Sequence, residues 1–196
     1  MTGVQTCALP IFLTSVRMSG QVGGAPDGSW GGAIHLGPGT SVVLAGRTTI
    51  RGAFAKYGGA IWAENGATVE LRDRASIANG PTTGIVAGGA VYLKPGASIV
   101  LRDRASIHDN DGTAATDAAN AAFGSAVDIW SYGTNVTRLT IRDEASIRGN
   151  TADAGGGGVF VWTACGDNVP ILKGAKGRVT GNTPKNVVRW TVTDGC

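Results

Sequence analysis

Gly58-Gly59-Ala60-Ile61-Trp62-Ala63, Thr68-Val69-Glu70-Leu71 and Ala75-Ser76-Ile77 are three short apolar segments within residues 58–77, parted by Glu64-Asn65-Gly66-Ala67 and Arg72-Asp73-Arg74. Aliphatic side chains two positions apart mark strands that bury one face. The same unit recurs along the chain. Its opening, Gly-Gly-Ala-[Ile/Val]-x-aliphatic, begins at Gly31, Gly58, Gly88, Gly124 (Ser125 second) and Gly156 (Gly158 third), at intervals of 27, 30, 36 and 32 residues. The second segment returns at 40–44, 98–101 and 138–141, and the third as Thr49-Ile50, Ser106-Ile107, Ser146-Ile147 and Arg178-Val179.

Three strands in each such unit, with no helix between them, cannot build a doubly wound sheet, but they can wind as a coil. Coils stacked about 4.8 Å apart let each strand pair in parallel with its copy in the next unit, so backbone groups are satisfied and equivalent side chains lie over one another. The pattern predicts an all-β fold, a right-handed single-stranded parallel β-helix of about five coils of three short strands. Five interior columns follow: Ile34/Ile61/Val91/Val127/Val159, Leu36/Ala63/Leu93/Ile129/Val161, Val42/Val69/Ile99/Leu139, Leu44/Leu71/Leu101/Ile141 and Ile50/Ile77/Ile107/Ile147/Val179. The glycine pairs and Asn79, Asn110, Asn150 and Asn182 fall where left-handed turn residues are expected. The units lengthen at 80–87 and 111–123, which read as loops leaving the coil.

Composition agrees. A chain of 196 residues with 42% hydrophobic content suits one domain. Its 32 Gly and 7 Pro make about a fifth of the chain, below the roughly 25–30% of low-complexity sequence. A net charge of +3 without a basic cluster argues against a nucleic-acid partner. No apolar run reaches the roughly 18 residues of a spanning helix. The expected organisation is residues 31–182 as β-helix repeats, 12–30 as the remnant of a preceding coil and 183–196 as a C-terminal tail or cap. Residues 1–11, Met-Thr-Gly-Val-Gln-Thr-Cys-Ala-Leu-Pro-Ile, share neither composition nor period with the rest and resemble a translated sequencing adapter. On that reading any export signal lies outside this fragment, and Cys7 leaves the cysteine count.

Gly-Gly-Ala-[Ile/Val] alternating with aliphatic-x-x-Asn (Ile107 to Asn110, Ile147 to Asn150, Val179 to Asn182) resembles the repeats of polymorphic outer membrane proteins and related autotransporter passenger domains, within the wider pectate-lyase-like superfamily. The resemblance spans residues 31–182. Ile or Val stands where that family has Phe, Ala53 replaces the first Asn, and Asn79 falls one position early. The resemblance implies a fragment of an exported bacterial protein at the outer-membrane or extracellular surface. Its role would be noncatalytic, in adhesion or display, with a glycan or a host or cell-surface protein as partner. The same superfamily holds polysaccharide lyases and hydrolases. The alternative is therefore a carbohydrate-active β-helix protein whose catalytic coils lie outside the fragment.

Arg72-Asp73-Arg74, Arg102-Asp103-Arg104 and Arg142-Asp143-Glu144 occupy one repeat position, after the second strand. A catalytic acid–base pair is a unique, asymmetric cluster, whereas a recurring Asp is what a turn requires, with Arg offsetting the stacked charge. Asp109-Asn110-Asp111-Gly112 starts like a calcium loop but lacks the later ligands. His35 and His108 lie in different units without Cys or His at ligand spacing. No catalytic residue, cofactor site or metal ligand is assigned.

The outward face of the first strand is more informative. If Ile34, Leu36 and their copies point inward, His35, Trp62, Tyr92, Asp128 and Phe160 form one outward column, and Gly37, Glu64, Lys94, Trp130 and Trp162 a second. Trp62, Tyr92, Trp130, Phe160 and Trp162 are the candidate ligand-binding aromatic face, because clustered outward aromatics mark a binding surface or the seat of a covering segment. The competing expectation is that a neighbouring loop, or the tail after Asn182 with Trp190, lies across them. Cys165 and Cys196, separated by about one coil, are a candidate disulfide, with free thiols as the alternative.

Overall fold

The computed structural model describes residues 10–19, 30–53, 55, 57–80, 89–112, 126–152, 155–164 and 169–191. Their regular structure is all strand, with no helix among the described residues. The second segments of successive units form one sheet: β1 (Ile11–Thr14), β4 (Ser41–Ala45), β7 (Thr68–Leu71), β10 (Ser98–Leu101), β14 (Arg138–Ile141) and β18 (Ile171–Lys173). The third segments form another: β2 (Arg17–Ser19), β5 (Thr49–Arg51), β8 (Ser76–Ala78), β11 (Ser106–His108), β15 (Ser146–Arg148) and β19 (Val179–Thr180). The opening segments form the third wall: β3 (Ile34–Leu36), β6 (Ile61–Ala63), β9 (Val91–Leu93), β13 (Val127–Ser131), β17 (Val159–Thr163) and β20 (Val187–Thr191). Neighbours within each wall pair in parallel, so the chain is a parallel β-solenoid of about five turns.

The registers reproduce the five expected columns. Ile61 lies beside Ile34 and Val91, and Val127 beside Val91 and Val159. Ile77 lies beside Ile50 and Ile107, and Leu71 beside Leu44 and Leu101. These side chains make one continuous core. Each fully buried Ile, Leu or Val contributes roughly 1.5–3 kcal/mol over leaving it in water. At the corners Ala67, Ala75, Ala97, Ala105 and Ala145 are fully buried, small enough to let the walls meet. The first glycine of the opening pair is a steric requirement: Gly31 and Gly58 have φ of 62° and 59°, and a Cβ there would press on the carbonyl oxygens of Ile34 and Ile61.

Both ends carry more strand than the repeats alone mark. Ile11 and Leu13 of β1 sit beside Val42 and Leu44, so a preceding coil supplies two walls, and its first strand begins at the last residue of the adapter-like stretch. At the other end β20 adds a rung to the third wall, with Val187 beside Val159. Asp111 and Gly112, read as the start of a loop, form β12 (Asp111–Gly112) against β16 (Thr151–Ala152). The remainder of the two expected loops, 81–87 and 113–123, lies outside the described residues.

One turn expectation is corrected. Asn110, Asn150 and Asn182 are not the left-handed residues; that conformation belongs to the residue before each, Asp109, Gly149 and Gly181, with φ of 53°, 64° and 61°. Asn79, at φ 52°, holds that earlier position itself, and Gly80 stands where the three later coils carry Asn, as Ala53 does in the first. The asparagines are buried because their amides have another task.

Candidate functional site

Three features recur along the solenoid and could carry function: a corner of aspartates, a corner of asparagines and an aromatic wall. Asp73, Asp103 and Asp143 adopt φ of 58°, 57° and 54°, a conformation that Asp tolerates because its short carboxylate bonds locally. Here each carboxylate bonds to the coil before it. The Gly46 N–H donates to Asp73 Oδ2 (2.7 Å), the Asp73 N–H to Asp103 Oδ2 (3.0 Å) and the Asp103 N–H to Asp143 Oδ2 (3.1 Å). Arg102 donates from Nε to Glu70 Oε1 (2.7 Å) and from Nη1 to Asp103 Oδ2 (3.0 Å), and Arg104 Nε to Glu144 Oε2 (2.8 Å). The bond to Glu70 holds the Arg102 guanidinium above its usual range. The Arg-Asp triplets are thus turn caps joined rung to rung, as their repetition predicts.

The asparagines form the second ladder. Asn110 Nδ2 donates to Asn150 Oδ1 (2.8 Å), Asn150 Nδ2 to Asn182 Oδ1 (2.8 Å) and Asn182 Nδ2 to Asn186 Oδ1 (3.0 Å). Each acceptor oxygen also receives the backbone N–H of the preceding Asn. The amides further donate to the carbonyls of Ile77, Ile107 and Ile147.

On the aromatic wall, alternation puts the expected columns on the outer face, but the rings cover one another. Trp62, Tyr92 and Phe160 are 6%, 7% and 1% exposed, while Trp130 and Trp162 are half-buried. Trp30 stacks on Trp62 (centroids 5.6 Å, planes 18° apart), Trp62 on Tyr92 (4.3 Å, 9°) and Trp130 on Trp162 (4.6 Å, 23°), with Tyr92 tilted 31° to Trp130 at 6.0 Å. Five successive coils therefore each give one ring to a single stack. Phe160 stands apart, edge-on to Trp190 (6.4 Å, 88°). Trp190 pairs in register with Trp162 as the next rung, so this part of the tail extends the wall and does not cross it. Burial, reinforced by the nearby Asp128, pushes the Tyr92 hydroxyl far above its ordinary value and keeps it protonated.

A polar group borders the stack at its first coils. Glu64 Oε1 accepts from Trp62 Nε1 (2.7 Å), Glu64 Oε2 pairs with Lys94 Nζ (2.8 Å), and His35 Nε2 lies 3.6 Å from Glu64 Oε1. Lys94 Nζ also sits 5.5 Å from the Trp62 ring centroid. Burial opposes ionisation of Glu64, yet the bonds from Lys94 and Trp62 hold its carboxyl below the usual range, so it is charged at neutral pH.

Sequence reasoning did not select Trp30 or Tyr57. Their signal is an aromatic directly before two of the glycine pairs, Trp30-Gly31-Gly32 and Tyr57-Gly58-Gly59, and the two residues form an isolated bridge. Tyr57 stands edge-on to both Trp62 (5.8 Å) and Tyr92 (6.4 Å). Of the calcium-like start, Asp109 faces His108 Nδ1 (2.7 Å) while the Asn110 amide turns into the ladder. Cys165 and Cys196 lie outside the described residues. Among the described residues no helix is long and apolar enough to cross a membrane. No family model, no curated protein and no solved structure matches this chain.

Proposed function

We propose that this chain is part of an exported bacterial surface protein, of the autotransporter-passenger kind, that acts noncatalytically in adhesion or display and meets a glycan or a host or cell-surface protein. One observation carries the reading. The residues most suggestive of acid–base chemistry, Asp73, Asp103 and Asp143, each accept a backbone N–H of the coil before, from Gly46, Asp73 and Asp103 respectively. A rigid stack of coils whose polar repeats hold its own corners is suited to presenting a surface, and its most distinctive outer surface is the aromatic wall.

The test separates binding from turnover. The purified chain, incubated with acidic and neutral polysaccharides, is expected to release no new unsaturated or reducing ends, while being retained on glycan-coated or host-cell surfaces. Turnover that disappears in Asp73→Asn or Asp103→Asn, in protein that keeps its strand content, would reject the reading in favour of a carbohydrate-active enzyme.

A further inference from the structure

The geometry points to one end of the aromatic stack, Trp30 with His35, Glu64 and Lys94, as the site that holds a pyranose ring of a neutral glycan; this rests on the adhesion reading and narrows it. A ring between two stacked neighbours shows the solvent only its edges. Trp62, Tyr92 and Trp130 each have a ring on both sides along the stack. Trp30 has Trp62 stacked on one side and is 47% exposed, so it offers an indole face of the kind on which the C–H face of a sugar packs.

A sugar also needs partners for its hydroxyl rim, or their desolvation cancels the gain. His35 stands edge-on to Trp30 at 6.0 Å, is exposed, and lies against Glu64. An imidazole can donate or accept, and a carboxylate has about four lone-pair sites, of which Trp62 and Lys94 use two. Glu64 and Lys94 neutralise each other across 2.8 Å. Among the described residues the site therefore has no surplus charge to favour a uronate or a sulfate, and an uncharged hexose fits it best.

The experiment titrates the full chain with cellohexaose, xylohexaose and hexagalacturonate by calorimetry, and compares Trp30→Ala, His35→Ala and Trp190→Ala. Trp190 is as exposed as Trp30, at 51%, but lies at the far end of the wall and serves as the control. At least one neutral oligomer is expected to bind more tightly than hexagalacturonate. Trp30→Ala and His35→Ala should each weaken that binding about tenfold, with Trp190→Ala unchanged. Binding lost in Trp190→Ala and kept in Trp30→Ala overturns the site while adhesion stands. Preference for hexagalacturonate overturns the ligand class. If no oligomer binds but the chain is still retained on cells, the inference fails and the adhesion reading survives; if retention is also absent, both fail.

Discussion

The two polar corners of the solenoid do the same job in opposite surroundings. At the corner after the second strand, Asp73 and Asp143 are exposed, Asp103 is half-exposed, and each receives one backbone N–H from the coil before. At the corner after the third strand, Asn110, Asn150 and Asn182 are 2%, 1% and 8% exposed, and each amide both donates and accepts. Water can replace a lost partner at the first corner and cannot at the second. A charged side chain serves the wet corner, where Arg102 pairs with Asp103 and Arg104 with the neighbouring Glu144. The dry corner needs a neutral group with both donor and acceptor, which Asn supplies and Asp does not.

The largest effect should come from breaking the dry ladder at its middle. Asn150→Ala removes the amide that receives the Asn110 N–H and Nδ2 and that bonds the Ile107 carbonyl and Asn182 Oδ1. Several buried groups are then left without partners, and a loss of about 3 kcal/mol is expected in urea unfolding. Asn150→Asp keeps the two donors of Asn110 on one oxygen but turns the other, now charged and buried, toward the Ile107 carbonyl and Asn182 Oδ1, which only accept, and should cost at least as much. A loss below about 1 kcal/mol for either would remove the contrast between the corners.

At the wet corner Asp103→Ala gives up the bonds from the Asp73 N–H and from the part-exposed Arg102 Nη1 and places Ala at φ 57°, for a cost of about 1–2 kcal/mol. Asp103→Asn retains the acceptor and the tolerance of positive φ, and should fall within about 0.5 kcal/mol of the parent. The ranking Ala worse than Asn is the readout. If both are equally harmful, the charge matters and the corner is not a simple cap.

Glu64 tests what happens where a carboxylate is neither fully wet nor fully dry. Its folded pKa lies below its ordinary 4.5, so its contribution to stability is complete above about that pH and is lost as pH falls through the lower folded value. Glu64→Gln should flatten that part of the stability profile below pH 4.5 and leave the remainder. An unchanged acid limb would mean that Lys94 and Trp62 do not favour the charged form.

Much of this was legible from the repeats, for a physical reason. A parallel solenoid superposes equivalent residues, so a period in sequence becomes a column in space, and the five apolar columns and the aspartate caps could be named before their contacts were known. Direction was harder to read. Asn110 and Asp109 are adjacent and both common in turns, and only the backbone shows that Asp109 takes the left-handed turn while Asn110 faces inward. The aromatic wall was legible as a column but not as a stack, because alternation tells which side of a sheet a ring leaves, not whether its neighbour covers its face. Trp30 escaped notice because it precedes the strand rather than lying within it.

The one substitution expected to stabilise is also the most direct check on the ladder, because it adds a rung instead of removing one. Gly80 occupies the ladder position in the second coil, and its N–H already donates to Asn110 Oδ1 (3.2 Å) as Asn110 does to Asn150. Beside it is a small pocket lined by Ile50, Ala53, Ile77 and Asn110. In Gly80→Asn the new Nδ2 should reach Asn110 Oδ1 and the Ile50 carbonyl, by the pattern that Asn110 follows with Asn150 and Ile77. A Cβ at Gly80 would lie 3.2 Å from the Ala53 carbonyl oxygen, so that peptide must yield by a few tenths of an ångström. Replacing Gly also restricts the unfolded chain, which favours the fold by roughly 0.4–1 kcal/mol. The expected sum is a gain of about 1 kcal/mol, seen as a higher urea midpoint at unchanged slope. A lower midpoint would mean that the Ala53 peptide is held too firmly for the ladder to extend, and that its end at Asn110 is set by the backbone of the first coil rather than by the choice of side chain at position 80.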